Sequence, residues 1–124
     1  MGNLADVATV LVVEDNTDLL EIYAEMLSMD SHTTRAVETA PEAIEALHRA
    51  RPDVLVLDLT ITGGFEPVLE VLRARPELAA VKVILVSGAR DLAEQAATWG
   101  ATYLRKPFMP EELLAAVACV LAPG

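Results

Sequence analysis

Three largely apolar runs punctuate the chain: Thr9-Val10-Leu11-Val12-Val13, Val54-Leu55-Val56-Leu57 running into Asp58, and Val81 to Val86, interrupted only by Lys82. Runs of this length, rich in β-branched residues, predict strands buried on both faces. Ser31 to Val37, with Thr33-Thr34, and Ala101 to Leu104 predict two weaker strands. Between the runs the apolar positions recur at helical spacing. Leu19, Leu20, Tyr23, Met26 and Leu27 follow the cap-type Asn16-Thr17-Asp18, and Ala43, Ile44, Leu47 and Ala50 follow Thr39-Ala40-Pro41-Glu42, a capping box with proline in the first turn. Val68, Leu69, Val71 and Leu72 mark a third helix that Pro67 starts and Pro76 closes. Asp91-Leu92-Ala93-Glu94 caps a fourth that ends at Gly100, and Pro110 begins a fifth with Leu113, Leu114, Val117 and Val120 inward.

Strict βα alternation requires right-handed crossovers and a parallel sheet covered on both sides. The pattern predicts an α/β fold: a doubly wound, flavodoxin-like (βα)5 three-layer sandwich with five parallel strands in the order 2-1-3-4-5. At 124 residues, without repeat, linker or low-complexity segment, it reads as one domain, 1–124, with a core from about 9 to 121.

Composition narrows the function. Hydrophobic residues make up 53%, which excludes a disordered chain, and aromatics only 4%, which leaves a core of Ala, Val, Leu and Ile. Cys119 is the sole cysteine, so neither a disulfide framework nor a cysteine metal site exists. Met1-Gly2 opens a myristoylation-like pattern, but Asp6 stands where Ser or Thr is wanted, and no signal peptide or membrane-length apolar run is present. These features predict a cytoplasmic protein without a membrane partner. With 19 acidic and 9 basic residues the net charge is −10, from which no nucleic-acid partner is expected.

The chemistry sits at the strand ends. In the order 2-1-3-4-5, strands 1 and 3 are neighbours, so Glu14-Asp15 and Asp58 should meet at the carboxyl edge, where sites form in open α/β sheets. Three crowded carboxylates repel, and a cation offsets that repulsion. All-oxygen ligands select a hard ion such as Mg²⁺. Ser87 and Lys106, just past strands 4 and 5, can reach the same crevice. Alone, Lys106 would be an ordinary solvated lysine, Ser87 a turn residue and Asp58 a loop cap. Together they suit phosphoryl transfer to a carboxylate, with metal and lysine neutralising oxygen charge while the aspartate attacks in line.

The motifs LVVEDN (11–16), VLVLDLT (54–60), VILVSG (83–88) and YLRKPF (103–108) resemble, in order and spacing, the response-regulator receiver domain of two-component signalling. The resemblance runs from about Val10 to Leu121. It implies that Asp58 accepts the phosphoryl group, that Asp15 binds Mg²⁺ directly, that Glu14 acts largely through water and that the Thr60 carbonyl completes the ligands. It further implies that Ser87 receives a phosphoryl oxygen, that Lys106 pairs with Asp58 or its phosphate, and that Lys106-Pro107 is cis. Tyr103 would be the aromatic whose rotamer follows Ser87, although a half-buried packing role also fits it.

The implied partner is a histidine kinase or a histidine-phosphotransfer protein. The downstream target is unspecified, and a phosphorylation-dependent homodimer is left open. The implied chemistry is self-phosphorylation and dephosphorylation at Asp58, not turnover of an external substrate. Two departures stand out. Ile61-Thr62 replace the family's Met-Pro and Gly63-Gly64 come early, so that loop looks about two residues short and, with adjacent glycines, looser. The Gly100-to-Lys106 segment also looks one residue short. No output domain follows the fifth helix, which fits either a stand-alone regulator or an excised receiver. Two other classes compete: a phosphorylation-independent interaction module, and a phosphohydrolase of the haloacid-dehalogenase type, against which Thr60 occupies the place of its second acid.

Overall fold

A computed structural model describes residues 7–122; the Met1-Gly2 pattern and the terminal Pro123-Gly124 lie outside the described residues. Strands β1 (Thr9–Val13), β2 (Thr33–Val37), β3 (Val54–Asp58), β4 (Lys82–Ser87) and β5 (Thr102–Arg105) alternate with helices α1 (Thr17–Met29), α2 (Ala40–Arg49), α3 (Glu66–Ala74), α4 (Leu92–Trp99) and α5 (Pro110–Leu121). A short 3-10 turn, Pro76–Leu78, follows α3. All strand pairs are parallel and the order is β2-β1-β3-β4-β5, as the pattern predicts.

The pleat explains the two helical layers. Along β3, Leu55 and Leu57 enter one cluster with Leu47, Val68, Leu69 and Leu92 from α2, α3 and α4. Val54 and Val56 point oppositely, into a second cluster with Leu20, Leu27, Leu113 and Val117 from α1 and α5. All four are at most 2% exposed. Each such side chain contributes roughly 1.5–3 kcal/mol, so β3 anchors both layers at once.

The capping chemistry holds at α1, where Asn16 Oδ1 accepts from Leu19 N, and at α2, where Thr39 Oγ1 accepts from Glu42 N. It does not hold at α4. Asp91 makes no cap bond and instead accepts from the Gln95 side-chain amide.

Three strands start later than the apolar runs suggest, each because an upstream closure takes the missing residues. Ser31, at φ 70°, closes α1: Ser31 N donates to Ser28 O and His32 N to Leu27 O. Ala101 N donates to Ala96 O to finish α4 around the left-handed Gly100, and Val81 N donates to Leu78 O to finish the 3-10 turn.

The short loop after β3 is pinned, against the expectation of a looser one. Thr62 bridges to Thr39, Ala40 N donates to Thr62 O at 2.9 Å, and Ile61 and Phe65 are buried. Gly63, at φ +95°, is required there, because a Cβ would lie 3.0 Å from Ala40 Cβ and 3.2 Å from Pro41 Cδ.

Candidate functional site

Register brings the chemistry together. Val13 pairs with Leu57, so Glu14 and Asp58 emerge side by side at the carboxyl edge of the sheet. Both are 2% exposed and Ser87 1%. Ser87 pairs with Arg105 across β4 and β5, which delivers Lys106 to the same edge, and Lys106 N donates to Ser87 O at 2.9 Å. The Lys106–Pro107 peptide is cis, as the family resemblance implies.

Lys106 Nζ bridges the two acids, donating to Glu14 Oε1 at 2.7 Å and to Asp58 Oδ2 at 2.5 Å. The contact with Asp58 is the one the family resemblance implies; the contact with Glu14 is additional. Asp58 Oδ1 accepts from both Thr60 N and Thr60 Oγ1 at 2.7 Å, and Glu14 Oε2 accepts from Asn16 N at 3.1 Å. Every oxygen of both buried carboxylates is therefore satisfied, which is the condition for keeping charge out of water.

The two acids titrate in opposite directions. Burial, reinforced by the Asp58 carboxylate, holds the Glu14 carboxyl above its ordinary value despite the Lys106 ammonium and Asn16 N–H. Burial pushes Asp58 up as well, but its contacts with Glu14, Lys106 and Thr60 outweigh burial and the net direction is down. Burial lowers Lys106, and its bonds to Asp58 and Glu14 more than reverse that, so the ammonium stays charged. Asp58 is thus the more acidic of the two, its carboxylate held by three donors.

Ser87 Oγ accepts from Ala89 N at 3.0 Å, and Arg105 Nη1 donates to Ala89 O at 2.6 Å, so Ala89 is tied at both ends. Neither the Arg105 clamp nor the Thr60 hydroxyl on Asp58 was anticipated. The second had a signal: an Asp followed two residues later by Thr is a side-chain-to-backbone turn pattern.

Asp15 is exposed, so the three carboxylates do not crowd as expected; two are buried around a lysine and the third stands at the rim. Among the described residues no group of three His, Cys, Asp or Glu side chains is gathered for a metal ion. The donor set nevertheless fits a hard cation. Glu14, Asp15, Asp58 and the Thr60 carbonyl offer oxygen only, and two acids with one lysine leave a net negative centre. Tyr103 is 46% exposed on β5.

The family model for the response regulator receiver domain matches residues 10–118. The DNA-binding response regulator MtrA of Mycolicibacterium paratuberculosis is 31% identical over 110 residues, 87% of this chain and 48% of that protein. NtrX of Brucella abortus aligns with TM-score 0.81 and 30% identity over 93% of this chain and 27% of that one. The chemotaxis response regulator CheY4 of Vibrio cholerae, at 21% identity, shares the fold with TM-score 0.84 over 92% of this chain and 98% of that one.

The chain thus spans about half the length of the curated relatives it matches. The exclusion of a nucleic-acid partner is corrected by the same finding, since MtrA is a DNA-binding regulator. Net charge limits what this chain's own surface attracts and cannot speak for the other half of such a protein. No helix among the described residues is long and apolar enough to cross a membrane. With the matched segment reaching from β1 into α5, the chain belongs to the receiver domain family of two-component response regulators.

Proposed function

We propose that Asp58 accepts a phosphoryl group from the phosphohistidine of a kinase or phosphotransfer protein, and that residues 9–121 act as the working core of this receiver. The observation that carries the reading is the presentation of Asp58: a carboxylate kept ionised in a nearly water-free site, one oxygen on Lys106 and the other on Thr60. A carboxylate oxygen attacks phosphorus, the phosphorus–nitrogen bond breaks with its electrons leaving on the imidazole, and an acyl phosphate forms. The Lys106 ammonium neutralises charge gathering on the transferred oxygens.

Glu14, Asp15, Asp58 and the Thr60 carbonyl would hold Mg²⁺, which supplies further neutralisation of phosphoryl charge. Ser87, whose hydroxyl now only accepts, has its proton free to donate to a phosphoryl oxygen. Its movement would carry the loop toward Asp58, and Tyr103, on the neighbouring strand, would turn inward, changing the α4–β5–α5 face.

Incubation with acetyl phosphate and Mg²⁺, read by intact mass, tests this. One slowly lost phosphoryl group is expected on the wild type, with none on Asp58→Asn and none in chelator. Continuous release of phosphate would favour a hydrolase, and an unmodified wild-type protein a scaffold.

A further inference from the structure

At the opposite edge of the sheet from Asp58, the starts of β4 and β5 and the ends of α3 and α4 enclose a groove of about 620 Å³. That volume lies within the range of about 300–1,000 Å³ that holds small molecules. Leu72, Val83 and the indole of Trp99 supply apolar wall, and Arg73, Arg75 and Lys82 line it as well. These are three of the chain's 9 basic residues, in a protein of net charge −10, and no Asp or Glu lines the groove. A cationic recess on an otherwise acidic surface focuses its field on a small anion.

The donors are preset. Arg73 stacks over Trp99 with its guanidinium carbon 4.0 Å from the ring centroid, and Thr98 O holds its Nη2. Arg75 is braced by Glu77 through Nε and by His48 through Nη1. Lys82 is exposed and takes part in none of the ion pairs among the described residues. Glu77 already offsets Arg75 and Arg73 covers one face of Trp99, so Lys82 and Arg73 are the uncompensated cations for a carboxylate, while Leu72, Val83 and the remaining indole surface offer apolar wall to a hydrocarbon body.

We infer that this groove binds a small apolar carboxylate, its hydrocarbon body against Leu72, Val83 and the indole of Trp99 and its carboxylate on Lys82 and Arg73, with Arg75 adjoining. The site is separate from Asp58 and does not depend on phosphorylation.

Trp99 is the only tryptophan, so a ¹⁵N-labelled full chain reports on the groove through a single indole N–H resonance. Titration with 2-naphthoate should shift that resonance saturably, and the neutral isostere 2-naphthylmethanol should bind about tenfold more weakly, the loss of one charge-assisted contact. Lys82→Gln and Arg75→Gln should each weaken naphthoate severalfold while leaving the rest of the spectrum in place, and Asp58→Asn should bind it like the wild type. The inference is overturned if naphthoate leaves the indole unmoved, if the alcohol binds as tightly, or if neither cation variant matters. Displacement of naphthoate by an acidic peptide at lower concentration would overturn it too, reassigning the groove to a protein partner.

Discussion

Replacing Lys106 by methionine should expose how the buried acid pair is held. The methionine keeps most of the stem and removes the one cation among the described residues that touches both Glu14 and Asp58. Glu14 Oε1 and Asp58 Oδ2 lie 2.7 and 2.5 Å from the same Nζ, and without the ammonium two unit charges about 4 Å apart at an effective dielectric near 20 repel by about 4 kcal/mol. That agrees with the roughly 3–5 kcal/mol lost when a buried pair is broken by removing one partner. Lys106 is 24% exposed along its side chain, so the lower end applies and the melting temperature at neutral pH should fall by about 10 °C.

The loss should depend on pH with a defined sign. Glu14 is held above its ordinary 4.5, so between that value and its folded value the folded state binds the extra proton, and stability from this group falls as pH rises. Asp58 works oppositely: held below 3.8, it contributes stability above that value and loses it as pH falls through the folded value. Removing the ammonium pushes Glu14 further up, so Lys106→Met should lose most near pH 8 and distinctly less near pH 5, where Glu14 takes a proton. Adding Glu14→Gln to Lys106→Met should recover most of the stability. Denaturant melts of the wild type and both variants in chelator at the two pH values check this. Equal stability of Lys106→Met and wild type at pH 8, or no recovery with Glu14→Gln, would refute the buried, lysine-bridged pair.

Two further outcomes follow from single contacts. Arg105→Ala deprives Ala89 O of its donor, so amide exchange over 88–90 should quicken by up to about tenfold, the equivalent of one hydrogen bond, with little change in global stability; unchanged exchange would remove the clamp. Gly63→Ala should destabilise by about 1–3 kcal/mol in denaturant melts, more than Gly64→Ala, whose Cβ would meet nothing nearer than 3.6 Å; equal losses would deny the pinned loop.

What the sequence made legible were features with a period or a position. Val54 to Leu57 announced a strand buried on both faces, and βα alternation then left little freedom in strand order, which places Glu14, Asp58, Ser87 and Lys106 at one edge. Features decided by three-dimensional fit were not legible. Ser31 looks like a strand residue but closes a helix in the left-handed region, a role more often taken by glycine. Gly63-Gly64 suggest slack, yet Gly63 is there because Ala40 and Pro41 leave no room for a side chain. Asp15 and Glu14 are equivalent as sequence; only the pleat decides that Glu14 turns inward to the lysine while Asp15 faces solvent.

The arrangement of β5 also explains how a change of charge at Asp58 could be read at a distance. Alternation along the strand sends Leu104 into the α1–α5 core cluster and sets Tyr103 and Arg105 on the other side. Lys106, next in line, holds Asp58 directly, while Arg105 holds the loop after Ser87 through Ala89 O. A phosphoryl group on Asp58 would draw on both at once. Lys106 would gain a stronger anion, and the Ser87 hydroxyl could donate to it only by carrying along Ala89, which is bonded to Ser87 Oγ at one end and to Arg105 at the other. The loop and β5 are therefore mechanically one element. Any inward step of Ser87 must either break the Arg105 bond or pull on the strand that carries Tyr103, and the cost of that choice, about one hydrogen bond to a charged donor, is roughly 1.5–3 kcal/mol.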